Sequence, residues 1–133
     1  MSFAVSQYRT NQVQTASPAR VIVQFYDGAI RFLKLACQAM EAKDYATKGM
    51  YLMRTHAIVT ELRANLDHTR APELTGELDR LYVYMLDCIT EANIKASPEP
   101  LTGAFKVLDS LRGAWISVAD DPGQTGVRIV GTP

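Results

Sequence analysis

The sequence predicts an all-α fold, an antiparallel four-helix bundle with a short N-terminal cap segment and a flexible C-terminal tail, on three observations. Apolar residues recur at three- and four-residue steps through four long stretches. Each stretch is bounded by a Ser-Pro, Asp or Ala-Pro break, and the period-two alternation of a strand is confined to the short run from Val127 to Val130. Four amphipathic helices with short connections pack most simply up and down around one core. The chain divides into a leader, residues 1–16, a bundle domain, 17–119, and a tail, 120–133.

The leader is polar, with Phe3, Val5, Tyr8 and Val13 too sparse to form a core of their own. Ser17 followed by Pro18 reads as an N-cap before a first helical position, because proline has no N–H to leave unpaired there. Val21, Phe25, Ala29, Phe32, Ala36 and Met40 then share one face of a helix running to about Lys43, widened by Ile22, Leu33 and Cys37. Asp44 is the next cap. The second stretch places Leu52, Val59, Leu62 and Leu66 at helical spacing, with Met50, Met53 and Ile58 beside them, an apolar surface broad for a bundle helix. Pro72 breaks the pattern. A third helix from near Glu73 carries Leu74, Leu78, Leu81, Met85, Cys88 and Ala92 on one stripe, flanked by Tyr82 and Ile89. Ser97-Pro98 repeats the first start signal, and Leu101, Phe105, Leu108, Leu111, Trp115 and Val118 supply a fourth face. Asp120-Asp121-Pro122-Gly123 is turn chemistry.

With 133 residues, 47% apolar and 21% charged, the chain has the balance of a single globular domain that needs no disulfide or metal staple. Fourteen basic residues cancel fourteen acidic ones, which argues against nucleic acid or an anionic membrane as partner. Cys37 and Cys88 lie in apolar stretches without Cys-x-x-Cys spacing and read as buried reduced thiols, hence a cytosolic setting. No stretch suits a signal peptide or a membrane span, so no stable membrane insertion is expected.

The motifs of catalysis are missing. A di-iron bundle needs Glu-x-x-His pairs, a zinc enzyme His-Glu-x-x-His and a nucleotide enzyme a glycine-rich cradle, and the sequence has none of these. No metal, cofactor or catalytic residue is therefore expected. The enzymatic rival is histidine phosphotransfer through His56, but neither His56 nor His68 is followed by the lysine of a His-x-x-Lys-Gly signature. Asp27 beside Gly28 reads as a local pair or cap next to a glycine that permits close helix approach. Met50, Met53 and Met85 suit core filling more than an adaptable face. Tyr26, Tyr45, Tyr51, Tyr82 and Tyr84 fit either an interface or a core boundary.

Several segments, taken together and in order, carry a more specific likeness. They are Tyr8, Thr15-Ala16-Ser17-Pro18, the run from Tyr26-Asp27-Gly28 to Phe32, Thr60-Glu61-Leu62 before Leu66-Asp67, Leu81-Tyr82-Val83-Tyr84-Met85, Glu91-Ala92-Asn93, and Leu111-Arg112 before Trp115. From about residue 5 to 118 the chain resembles the FliS family of flagellin-specific export chaperones. It departs from that pattern at His68-Thr69-Arg70-Ala71-Pro72 and at Gln24-Phe25. The resemblance implies a nonenzymatic cytosolic bundle, monomeric or weakly dimeric, that binds the C-terminal segment of flagellin, prevents premature polymerisation and supports delivery to the flagellar type III export apparatus. It implies client contacts at Tyr8, Tyr26, Asp27, Ile58, Leu62, Tyr82 and Met85. The sparse apolar residues of the leader, Phe3, Val5, Tyr8 and Val13, have two readings: they fold back over the client groove until flagellin displaces them, or Tyr8 simply packs on the bundle. A generic helix-bundle adaptor is the remaining alternative.

Overall fold

The computed structural model describes residues 18–120, which form four α-helices with no β-strand among them. The leader, with Tyr8 and the Ser17 cap, and the tail beyond Asp120 lie outside the described residues. The helices are α1, Pro18–Glu41; α2, Tyr45–Ala64; α3, Pro72–Lys95; and α4, Leu101–Asp120.

Local chemistry explains each boundary. After α1 the chain turns left-handed at Lys43, φ 58°, and the Asp44 N–H returns to the Ala39 carbonyl at 2.8 Å. Asp44 then caps α2, its carboxylate accepting the Thr47 N–H at 3.2 Å. At the other end of α2 the Asn65 side-chain amide donates to the Glu61 carbonyl at 2.8 Å. Asp67 folds the connection by accepting from the Thr69 N–H at 3.0 Å. Pro72 occupies the first turn of α3, where its missing N–H costs nothing. Ala96, φ 52°, ends α3 in the left-handed region.

The fourth start differs from the expectation. Ser97 caps only a turn, its Oγ accepting the Glu99 N–H at 3.4 Å, and α4 begins at Leu101. Pro100 is the reason: it disfavours helical geometry at Glu99, so the Ser-Pro pair cannot lead straight into a helix.

α1 packs against α2 and α4, and α3 closes the ring against the same two helices. The cross-helix pairs run in opposite chain directions: Arg20 with Asp120 at 2.9 Å on α1 and α4, and Arg63 with Asp79 at 2.7 Å on α2 and α3. The bundle is therefore antiparallel. Its core gathers Val21, Ile22, Leu33, Leu52, Val59, Leu78, Ile89, Leu101 and Leu108, together with Tyr26, Tyr82 and Trp115.

Two stripes differ from the sequence reading. On α3 the buried residues are Thr75, Leu78, Tyr82, Met85, Cys88, Ile89 and Ala92, while Leu74 is exposed and Leu81 half-buried. Tyr82 and Ile89 belong to the centre of the face, because tyrosine's apolar ring serves a core when its hydroxyl finds a partner. On α2, Met50 and Met53 point to solvent, 41% and 59% exposed, so they do not fill the core.

Candidate functional site

At the centre of the bundle, three side chains from three helices share hydrogen bonds. The hydroxyls of Tyr26 on α1 and Tyr82 on α3 lie 2.5 Å apart, and the Trp115 indole N–H of α4 donates to the Tyr26 hydroxyl at 3.1 Å. Both tyrosines are fully buried. Burial disfavours the phenolate, raising Tyr26 well above the ordinary tyrosine range, with the Tyr82 hydroxyl adding to the effect, and pushing Tyr82 up to about 12. At neutral pH this is a network of neutral hydroxyls that fixes the relative positions of three helices.

Asp27, the next residue along α1, points outward and forms an ion pair with Arg112 of α4. Its partner is thus on another helix, where a local pair or cap was expected. Gly28 also departs from expectation. Among the described residues a methyl placed there would meet only Ile58 Cδ1, at an ordinary 3.8 Å, so the packing of these helices does not require a glycine. The close approach occurs at Gly103 of α4, where a Cβ would overlap the Tyr84 hydroxyl. Ile58 and Leu62 lie buried on the inner side of α2, and Met85 is fully buried on α3. The structure thus places Tyr26, Tyr82, Met85, Ile58 and Leu62 within one core and Asp27 at its rim, while Tyr8 lies outside the described residues. Direct contact between a partner and Tyr26, Tyr82 or Met85 requires the bundle to open.

The apolar side chains that do reach solvent are different ones. Tyr45, Met50 and Met53 of α2 and Leu74, Tyr84 and Ile94 of α3 are the exposed large hydrophobics among the described residues, Ile94 reaching 80%. The breadth of apolar residues around α2 was the available signal, since one helix face cannot bury them all. Beneath Tyr45, the buried Lys48 ammonium ties α2 to the last turns of α3, donating to the Asn93 carbonyl at 3.0 Å and its side-chain oxygen at 2.8 Å. A helix C-terminus suits that positive charge. His56 is half-buried, with Nδ1 3.4 Å from the Thr60 hydroxyl. Among the described residues no three His, Cys, Asp or Glu gather as a metal site, and no helix is long and apolar enough to cross a membrane.

Comparison with known proteins adds to this geometry. The family model described as flagellar protein FliS matches residues 1–122. A flagellar secretion chaperone FliS of Bacillus subtilis is 32% identical over 108 residues, covering 81% of this chain and 80% of that protein. FliSB of Pseudomonas aeruginosa, also a flagellar secretion chaperone, is 33% identical over 108 residues, covering 81% and 86%. The FliS of Campylobacter jejuni is 28% identical over 117 residues, covering 88% and 91%.

Proposed function

The chain belongs to the FliS family of flagellar secretion chaperones, and from that premise we propose that its client is flagellin. As a member of a chaperone family it is not an enzyme. In this reading it binds the C-terminal segment of flagellin in the cytoplasm, keeps it from polymerising prematurely and delivers it to the flagellar type III export apparatus. The observation that carries the reading, beside family membership, is the set of apolar side chains that α2 and α3 leave exposed, Tyr45, Met50, Met53, Leu74, Tyr84 and Ile94. A segment that forms an amphipathic helix can lay its apolar face on such a surface while its polar face stays wet, and no covalent chemistry is involved.

The proposed client residues then divide by position. Asp27 offers a charged rim, Ile58 and Leu62 back the surface from α2, and Tyr26, Tyr82 and Met85 hold its shape from within. Tyr8, with Phe3, Val5 and Val13, is proposed to occupy the client surface until flagellin displaces it. Deletion of residues 1–16 then raises client affinity and lowers monomer solubility; no change in either removes the leader from the account.

Calorimetric titration tests the core of the proposal. Full-length flagellin binds with a negative heat-capacity change, the mark of apolar burial, and flagellin lacking its C-terminal segment does not. Equal binding of the truncated protein, or no binding of either, overturns it.

A further inference from the structure

The seam between α1 and α2 carries an arrangement that the client reading does not use. Phe32 of α1 stacks on Tyr51 of α2, with ring centres 5.8 Å apart and planes 26° from parallel. Both rings are half-buried. Two guanidiniums from opposite helices sit over this pair: Arg31 lies 5.4 Å from the Phe32 centre, and Arg54 lies 5.8 Å from the centres of both rings. Both arginines are exposed. Among the described residues neither joins an ion pair, whereas Arg20, Arg63, Lys95 and Arg112 each hold a carboxylate.

Two like charges over one ring repel each other, and the ring faces offset only part of that cost. A guanidinium resting on a ring keeps its in-plane N–H donors free, and the planar fork matches a carboxylate with two parallel hydrogen bonds. The stack also limits the freedom of both arginines, so less entropy is lost when they grip an anion. One turn before Arg31 and Phe32, Gly28 leaves room above Ile58, among the described residues, for a small apolar group. Anchored cations, an apolar floor and no ion-pair partner among the described residues together call for an occupant with carboxylates beside an apolar side chain.

We infer that the α1–α2 seam docks an acidic segment of another protein, two carboxylates bracketing an apolar residue, with Arg31 and Arg54 as the grips and Phe32 and Tyr51 as the platform. The chain's own leader is not that occupant, since residues 1–17 contain no Asp or Glu, and residues 121–133 contain only Asp121. The inference does not depend on flagellin being the client.

The test uses the full chain and a blocked peptide in which two glutamates bracket a leucine–phenylalanine pair, with its glutamine counterpart as control. Arginine side-chain and aromatic resonances are followed during titration. The acidic peptide shifts the signals of Arg31, Arg54, Phe32 and Tyr51 and weakens with added salt, and Arg31→Gln and Arg54→Gln each reduce affinity roughly fivefold. A doubly substituted Arg31→Lys, Arg54→Lys protein keeps the charge but loses the planar grip, and its affinity falls below that of the parent. Equal binding of the two peptides, shifts scattered over the surface, or no binding by the parent protein would overturn the inference. So would parent-like binding by the lysine variant. Because both arginines are exposed, the variants keep the parent's melting curve, which separates lost docking from lost fold.

Discussion

Replacing Tyr26 with Phe tests whether the buried hydroxyl network acts as a unit. Tyr26 is its hinge: its oxygen accepts from Trp115 at 3.1 Å and shares a 2.5 Å bond with Tyr82. The network holds three hydrogens, from one indole and two hydroxyls, but makes only two bonds, so one hydroxyl hydrogen already lacks an acceptor among the described residues. Tyr26→Phe breaks both bonds and strands the Trp115 N–H and the Tyr82 hydroxyl together, a cost of about 2–4 kcal/mol. Tyr82→Phe removes one bond and leaves the Trp115 contact intact, costing about 1 kcal/mol. The double substitution leaves only the indole unpaired, so it should be more stable than Tyr26→Phe alone: a second lost hydroxyl repairs part of the damage of the first. Urea unfolding followed by the fluorescence of Trp115, the chain's one tryptophan, gives the three free energies. If Tyr82→Phe destabilises the Tyr26→Phe protein by as much as it destabilises the parent, the hydroxyls are independent and the reasoning fails.

Three further outcomes follow from other positions. Ala96, at φ 52°, sits where an L side chain is strained, so Ala96→Gly raises stability by up to about 1 kcal/mol, seen as a higher melting temperature. Gly103→Ala displaces Tyr84 and costs about 1 kcal/mol in the parent, but in a Tyr84→Ala background it becomes neutral or stabilising, because the nearest atoms the new methyl would overlap all belong to Tyr84 and glycine is a poor helix former. At high pH the unfolded chain loses its tyrosine protons first, since burial holds Tyr82 up to about 12 against an ordinary value of 10.0, with Tyr26 raised in the same direction. The stability tied to Tyr82 is therefore complete below about pH 10 and falls by roughly 2–3 kcal/mol towards pH 12, and Tyr82→Phe flattens that part of the urea-midpoint profile.

Helix number, order and most boundaries are legible in the sequence because they rest on local rules. Asp44 caps, Pro72 starts and the apolar steps of α1 bury Val21, Phe25, Ala29, Ala36 and Met40. The start of α4 is misread because Ser97-Pro98 looks the same whether or not Pro100 follows, and the second proline decides. The candidate site is harder to read. The residues proposed from family likeness, Tyr26, Tyr82 and Met85, turn out to be core, and the partner of Asp27 is 85 residues away on α4. An apolar residue at helical spacing carries the same sequence signal whether it serves a core or a partner. Only the packing of four helices, which local periodicity does not contain, separates Met85 from Met53.

That separation allows folding and client binding to be tested apart. Met85 has no exposed surface, so Met85→Ala removes core packing and costs about 2–5 kcal/mol, and any loss of binding there reports on the fold. Met50 and Met53 project from the outer face of α2 at 41% and 59% exposure. Covering the exposed part of each side chain would contribute about 1 kcal/mol to a complex, roughly a fivefold affinity change, because full burial of a methionine is worth about 1.5–3 kcal/mol. Met50→Gln and Met53→Gln should each weaken flagellin binding by that factor while shifting the unfolding free energy by less than about 0.5 kcal/mol. Unchanged affinity in both variants, with the fold intact, would mean that the client does not lie on α2, and that the surplus apolar surface serves another purpose.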